Sequence, residues 1–230
     1  MRLALDDVSF SVGRSEVFGL IGPDGAGKTS LFRIMASLLL PDEGSVTVDG
    51  YDVVRQMRSV RCRVGYMPGR FSLYEDLTVK ENIRLFAGIY GMKPHDIAKQ
   101  TDELLRRLRF EQHKDTVVSQ LPLGWKQKLA FSVSIFHQPD IVFLDEPTGG
   151  VDPATRRQFW ELIYDAAAQG ITVFVTTHYM DEAEYCDRIS IMVDGKIRAL
   201  GTPDELKQQF GQPDMDHVFT LLARQAKRGD

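Results

Sequence analysis

The chain has 230 residues, with 28 Lys and Arg against 32 Asp and Glu, and thus a formal net charge of −4 at pH 7. Hydrophobic residues make up 43% and charged residues 26% of the chain, a composition that excludes a disordered or fibrous protein. The mildly acidic balance gives no overall attraction for polyanions, so we expect no nucleic acid as a partner.

The cysteines and the apolar runs indicate the redox compartment of the protein and the kind of membrane contact it can make. Cys62 and Cys186 are far apart and lack the spacing of a metal site or disulfide framework, which fits a reducing cytoplasm. The longest apolar run, Ile34 to Leu40, is much shorter than the roughly 20 residues needed to cross a bilayer. We therefore expect contact with a membrane only through a partner.

The first predicted element is a buried strand from Val17 to Ile21, a short apolar run bordered by glycine. A glycine-rich loop follows it directly. Apolar residues then recur at helical spacing as far as Pro41, which predicts a helix that ends at this proline. The chain thus begins with the order strand, glycine loop, helix.

A small antiparallel sheet and a helical region are predicted next. Residues 45–48 alternate between polar and apolar, and Asp49-Gly50 suits a hairpin turn. A buried strand is predicted from Val64 to Met67. A capping box formed by Thr78 and Glu81 opens a helical region that covers about residues 78–138.

The second half of the chain alternates strands with helices. Apolar runs predict buried strands at 141–144, 171–175 and 189–193, and Asp152 followed by Pro153 is typical of a helix start. Strands separated by helices indicate an α/β fold with a mostly parallel sheet.

The glycine loop carries the strongest chemical signal. Its sequence, Gly22-Pro23-Asp24-Gly25-Ala26-Gly27-Lys28-Thr29 followed by Ser30, matches the pattern G-x-x-x-x-G-K-[ST] in the strand–helix context that this pattern requires. Glycines allow backbone N–H groups to surround phosphates at the start of a helix. Lys28 is predicted to neutralise the β- and γ-phosphates and Thr29 to hold Mg²⁺, so the loop predicts nucleotide binding.

Two carboxylates end the predicted strand at 141–144. Hydrolysis of a triphosphate needs a second oxygen ligand for the metal and a group that orients or deprotonates water. Asp145 is predicted to serve Mg²⁺ and Glu146 to serve the water. Two acidic residues at a strand end are common on solvated surfaces. The glycine loop upstream is the reason to assign this pair a function.

These motifs, in this order, resemble the nucleotide-binding subunit of an ATP-binding cassette (ABC) transporter over essentially the whole chain. Four segments resemble motifs of the family. Gly22–Thr29 resembles its Walker A motif and Ile141–Glu146 its Walker B motif, while Gly150–Pro153 resembles its D-loop and His178 its switch histidine. The resemblance implies a P-loop NTPase fold with a RecA-like core, a small antiparallel β subdomain and an inserted helical subdomain. It also implies one domain over residues 1–230, with a C-terminal tail of about 202–230.

The family also implies partners and further site residues. In the family, two such domains enclose two ATP molecules. The resemblance therefore implies a second ABC ATPase domain as a partner, in a homo- or heterodimer. It also implies a γ-phosphate contact for His178 and a role at the dimer interface for Asp152. A transmembrane permease subunit is the other implied partner, with the chain cytoplasmic and peripheral on the inner face of the cell membrane. Residues 214–219 resemble a tail of exporter-type members, the ABC-2 type.

The sequence departs from the family at its signature loop, which normally resembles Leu-Ser-Gly-Gly. This chain reads Leu121-Pro122-Leu123-Gly124 there. Pro122 supplies neither a hydroxyl nor an N–H group, and Leu123 adds bulk where backbone normally approaches phosphate. The loop is either an accepted variant of the family or a weakened trans-nucleotide contact formed by Pro122, Leu123 and Gly124.

Two more departures concern the Q-loop and the start of the chain. Gly69 stands where the family usually has the Q-loop glutamine, so a side-chain oxygen near Mg²⁺ and the water is missing. The chain starts where the family's second strand begins, so its first strand and adenine-stacking aromatic residue are expected to be missing.

The sequence therefore predicts an ATPase that hydrolyses ATP with Mg²⁺ and drives a separate transmembrane subunit of an ABC exporter. The alternative is a nucleotide-gated dimerisation module with weak or no turnover, because its signature loop and Q-loop are degenerate. Phosphate release measured beside ATP binding distinguishes the two hypotheses.

Overall fold

The computed structural model describes residues 3–69 and 73–227, with side chains to residue 224. Both ends of the predicted domain, residues 1–2 and 228–230, lie outside the described residues. The predicted C-terminal tail is therefore described only from 202 to 227. No helix in the described part of the chain is long and apolar enough to span a membrane.

A six-stranded sheet forms the centre of the fold. Its strands, in spatial order, are β4 (Val64–Met67), β5 (Ile141–Asp145), β6 (Thr172–Thr177), β1 (Val17–Ile21), β7 (Arg188–Val193) and β8 (Lys196–Gly201). The first five strands in this order pair in parallel, and β8 pairs antiparallel with β7 at one edge. The predicted α/β class with a mostly parallel sheet is confirmed.

A second, antiparallel sheet pairs β2 (Thr47–Val48) with β3 (Tyr51–Asp52). Asp49 and Gly50 join them with φ values of 49° and 78°, the left-handed conformation that a tight hairpin turn requires. The predicted small antiparallel sheet is therefore confirmed, although its strands have two residues each.

Helices cover both faces of the large sheet. The capping box at Thr78 is present, since its hydroxyl accepts from the backbone N–H of Glu81 and the glutamate side chain accepts in return. The helices are α1 (Lys28–Met35), α2 (Met57–Arg63), α3 (Val79–Ile89), α4 (Pro94–Leu108), α5 (Leu123–Ser134), α6 (Pro153–Ala168), α7 (Met180–Ala183), α8 (Pro203–Phe210) and α9 (Met215–Lys227). Helices α3 to α5 fall within the range predicted for a helical subdomain, and their status as a subdomain stays a prediction.

The sheet divides the core in two because successive strand residues point to opposite faces. Val142 and Leu144 of β5 belong to the larger cluster, together with residues of α3 to α6. Phe143 belongs to the smaller cluster, where its ring lies 5.4 Å from that of Phe32 in α1 and 5.0 Å from that of Phe174 in β6. The same alternation determines which side chains at the carboxyl ends of the strands face α1.

The helix after the glycine loop is shorter than predicted. It ends at Met35 rather than near Pro41. Ser37 has a φ of 56° and its buried hydroxyl donates to the Val53 carbonyl at 2.8 Å, which turns the chain out of the helix. The apolar residues that follow it, Leu38 to Leu40, are consequently exposed.

Candidate functional site

The glycine loop lies between β1 and α1, at the end of the sheet where the parallel strands finish. Gly27 precedes α1 with a φ of 102°, a conformation that favours glycine. A Cβ at Gly22 would collide with the backbone carbonyl of Met192 in β7. The loop is therefore held against the sheet by backbone contacts that only glycine permits.

The start of α1 offers backbone donors. Gly27 has no side chain with which to cap the helix, so the first amide N–H groups remain available to an anion. Ser30 lies in this first turn, directly after Lys28 and Thr29. A helix start with free N–H groups and no acidic residue in its first turn favours phosphate.

Lys28 is buried inside the loop, with 5% of its surface exposed. Its ammonium donates to the carbonyls of Gly22 at 2.7 Å and Pro23 at 3.0 Å, and lies 3.8 Å from a carboxylate oxygen of Glu146. Burial lowers the pKa of Lys28, and the negative charges of Glu146, Asp24 and Asp145 partly oppose this effect. The cation is thus held at the centre of the loop among three carboxylates.

The predicted metal ligands are in contact. The Thr29 hydroxyl donates to Oδ2 of Asp145 at 2.9 Å, and the second oxygen of Asp145 accepts from the hydroxyl of Thr176 at 2.7 Å. Asp145 is buried at the end of β5. A hydroxyl and a carboxylate side by side are oxygen donors of the kind that Mg²⁺ prefers, so the residues present fit this ion.

Glu146 and His178 lie at the solvent side of the loop. Nδ1 of His178 is 3.3 Å from Oε2 of Glu146, and their ligand atoms lie within 4.8 Å of one another and of a carboxylate oxygen of Asp24. Glu146 has a φ of 49°, a left-handed conformation that costs a non-glycine residue about 1–2 kcal/mol. The fold holds this carboxylate in a strained position beside Lys28, as is common where side chains do chemistry.

Sequence reasoning missed Thr176, the residue that joins the carboxylate of Asp145 to the backbone of Glu146. Its hydroxyl donates to Asp145 and accepts from the backbone N–H of Glu146 at 2.9 Å. The sheet register places it directly opposite both Asp145 of β5 and Leu20 of β1. A threonine immediately before Thr177 and His178 was the only available signal.

The predicted trans-nucleotide residues form a second group. A Cβ at Gly124 would lie 2.5 Å from the Thr155 side chain, and the Leu123 side chain reaches Gly150 of the D-loop segment. Pro122 precedes α5 and leaves its first turn without a side-chain cap. The start of α5 therefore packs on the start of α6.

Asp152 caps α6, as predicted. Its carboxylate accepts from the backbone N–H groups of Ala154 and Thr155, both at 3.0 Å, and from the Thr155 hydroxyl at 2.6 Å. These bonds lower the pKa of Asp152, with the Thr155 hydroxyl as the largest cause. Its role across a dimer interface stays a prediction.

Gly69 lies beside Asp145, one of the predicted metal ligands, because a Cβ at this position would be 3.0 Å from the backbone carbonyl of Asp145. The segment predicted to correspond to the Q-loop thus passes the end of β5.

A glycine loop between a buried strand and a helix, facing two carboxylates at the end of a neighbouring strand, defines a P-loop nucleotide-binding domain.

Comparisons with known proteins identify the family. A family model described as ABC transporter matches residues 5–149. The chain is 46% identical over 224 residues to the probable multidrug ABC transporter ATP-binding protein YbhF of Escherichia coli, covering 95% of this chain and 39% of that protein. It is 36% identical over 237 residues to the Nod factor export ATP-binding protein I of Ralstonia nicotianae, covering 99% of this chain and 74% of that protein.

Solved structures agree with the sequence matches. One is described as the ATP-binding subunit of an ABC transporter, with a TM-score of 0.84, 32% identity and coverage of 95% of this chain and 92% of that chain. Another is a dimeric ATP-binding cassette in a post-hydrolysis state with bound ADP and Pi, with a TM-score of 0.78, 26% identity and coverage of 86% and 90%. The chain belongs to the ABC transporter family, which confirms the resemblance and the fold class predicted from its motifs.

Proposed function

We propose that this chain binds ATP and hydrolyses it to ADP and phosphate, as the subunit that drives a separate transmembrane permease of an ABC exporter. The observation that carries the proposal is the convergence of Lys28, Thr29, Asp145, Glu146 and His178 at the ends of three neighbouring strands. Such a set provides a phosphate-binding cation, oxygen ligands for a metal and a base for water, all of which phosphoryl transfer to water uses.

Each residue has a distinct task in this proposal. The N–H groups of the glycine loop and the ammonium of Lys28 bind the β- and γ-phosphates and stabilise the charge that builds on them. Glu146 orients the attacking water and accepts its proton, and His178, 3.3 Å away, contacts the γ-phosphate. Thr29 and Asp145 would hold Mg²⁺, which would neutralise phosphate charge when bound.

A second ABC ATPase domain is the first proposed partner. The solved cassette with ADP and Pi is a dimer. In a comparable dimer, Pro122, Leu123 and Gly124 would meet the nucleotide of the other subunit, with Asp152 nearby. In a heterodimer, the glycine loop of this chain would be completed by a regular signature loop, and its own altered loop would affect only the partner's site.

A transmembrane permease is the second proposed partner, with this chain on the inner face of the membrane. Exposed apolar side chains support a protein contact: Leu38, Leu39 and Leu40 follow α1, while Leu85 and Ile89 lie on α3. The names of the two relatives, which mention multidrug transport and Nod factor export, support the export direction.

Phosphate release tests the hydrolysis. The Glu146→Gln variant keeps the shape of the side chain and loses the base, so we expect the rate to fall by about 100-fold or more. The variant retains Lys28 and the loop, so its ATP affinity should stay within about threefold of the parent value. Equal rates for the two proteins would contradict the role of Glu146.

The second candidate function is a nucleotide-gated dimerisation module with weak or no turnover. It is favoured by the start of α5, where Pro122 offers no N–H group and Leu123 is 45% exposed. The double variant Pro122→Ser, Leu123→Gly restores a hydroxyl and a small residue there. A large gain in phosphate release over a slow parent would favour this candidate, whereas a fast parent would exclude it.

A further inference from the structure

Glu182 is a fully buried acidic residue four positions after His178, in the short helix α7. Both of its carboxylate oxygens accept short hydrogen bonds. The Thr148 hydroxyl donates to Oε1 at 2.7 Å, and the Thr177 hydroxyl donates to Oε2 at 2.6 Å. Nε of Arg156 lies 3.5 Å from Oε1 and supplies a positive charge.

These three partners come from the segments that carry the proposed site. Thr148 lies two residues after Glu146, Thr177 immediately precedes His178, and Arg156 is in the first turns of α6, after the Asp152 cap. One buried carboxylate therefore joins the segment after β5, the loop after β6 and the start of α6.

The end of β6 explains how the two loops are held. Its last two residues, Thr176 and Thr177, point to opposite faces of the sheet, since strand side chains alternate. Thr176 bonds to Asp145 and to the N–H of Glu146, whereas Thr177 donates to Glu182 and accepts from the N–H of Tyr179 at 3.0 Å. His178 follows directly, so its backbone is fixed on both sides.

Arg156 strengthens the link between α6 and the histidine loop. Its guanidinium lies 4.0 Å from the centre of the Tyr179 ring and 3.2 Å from a carboxylate oxygen of Asp181. A displacement of the start of α6 would therefore act on Tyr179, directly after His178, and on Asp181, three residues after it. This connects the segment that we place at the dimer interface with the γ-phosphate contact.

A buried carboxylate is costly, and an apolar residue at this place would usually serve stability equally well. We infer that Glu182 is a positioning residue for hydrolysis, which sets His178 relative to Glu146 through Thr177 and Thr148. The inference rests on the proposed function, because it assumes that His178 contributes to the rate.

The test compares Thr177→Val, which removes the hydroxyl, with Thr177→Ser, which keeps it. Glu182→Gln is the second variant, and Ser190→Ala is the matched control, because Ser190 is also fully buried and its hydroxyl has no bonding partner in the described structure. The measurements are kcat for phosphate release, Kd for magnesium-ATP by calorimetry and thermal unfolding of each protein.

We expect Thr177→Val and Glu182→Gln to lower kcat by about 10- to 100-fold, the size of effect that small displacements of catalytic groups produce. Thr177→Ser and the Ser190→Ala control should stay within about threefold, and Kd should stay within about twofold throughout. In a His178→Ala background, Glu182→Gln should lower kcat by less than about twofold, because residues that act through one another are not additive.

Four results would decide against the inference or against its premise. Additive losses in the His178→Ala background, or a Kd that worsens together with thermal stability, would make Glu182 a structural residue. Full rates for Thr177→Val and Glu182→Gln beside a slow His178→Ala protein would overturn the inference alone. A full rate for His178→Ala would instead contradict the γ-phosphate role under the proposed function.

Discussion

Replacing Thr176 with valine removes a hydroxyl and keeps nearly the same volume. Thr176 is fully buried, and its hydroxyl serves two groups: it donates to Oδ1 of the buried Asp145 at 2.7 Å and accepts from the N–H of the half-buried Glu146 at 2.9 Å. Each partner left without its bond costs about 1–3 kcal/mol. We expect Thr176→Val to lower the free energy of unfolding by about 2–6 kcal/mol, the sum of these two costs.

Urea unfolding followed by tryptophan fluorescence measures this loss. Thr176→Ser is the matched control, because it keeps the hydroxyl and loses only one methyl group, worth about 1 kcal/mol. The rate of phosphate release should also fall in the valine variant, since Glu146 loses its backbone anchor. A valine variant as stable as the serine variant would refute the reasoning.

The remaining predictions concern the glycine loop and two histidines. Gly27→Ala should abolish measurable ATP binding, because its φ is 102° and a Cβ would collide with a backbone carbonyl; Gly44→Ala, with a φ of 86° and open space around it, is the control that should keep binding. Burial lowers the pKa of His137 below 6.5, so the stability gained by keeping its ring neutral is lost as pH falls below 6.5. An NMR titration should give His137 a lower pKa than His217. The hydrogen bond that the His217 ring donates to the Asp214 carboxylate raises the pKa of His217, so the stability that this bond adds is lost as pH rises through the raised pKa. The Asp214→Asn variant should bring the pKa of His217 back toward 6.5. An unchanged affinity for Gly27→Ala, or equal pKa values for the two histidines, would contradict these expectations.

The features that the sequence could predict depend on neighbouring residues. The strand, glycine loop and helix around Lys28 are local, and so are the capping box at Thr78 and the cap that Asp152 provides for α6. Each of these is a pattern within a few positions, and each has a direct physical reason in backbone geometry or hydrogen bonding. Alternation of strands and helices likewise indicated the parallel sheet.

The features that the sequence could not predict depend on pairing between distant segments. Thr176 acquires its place only because β6 pairs with β5 in a register that sets it opposite Asp145. Helix α1 ends early because Ser37 bonds to Val53, which arrives from another part of the chain. Glu182 looks like a surface residue in sequence, and only the fold buries it beside Thr148 and Thr177.

Calorimetric titration of magnesium-ATP into the purified chain tests the central claim most directly. The account predicts saturable binding with a Kd below about 1 mM, and a loss of affinity of at least about tenfold in Lys28→Ala, because the buried ammonium lies at the centre of the loop. Absence of binding by the folded chain at millimolar nucleotide, or equal affinity in the Lys28→Ala variant, would contradict it.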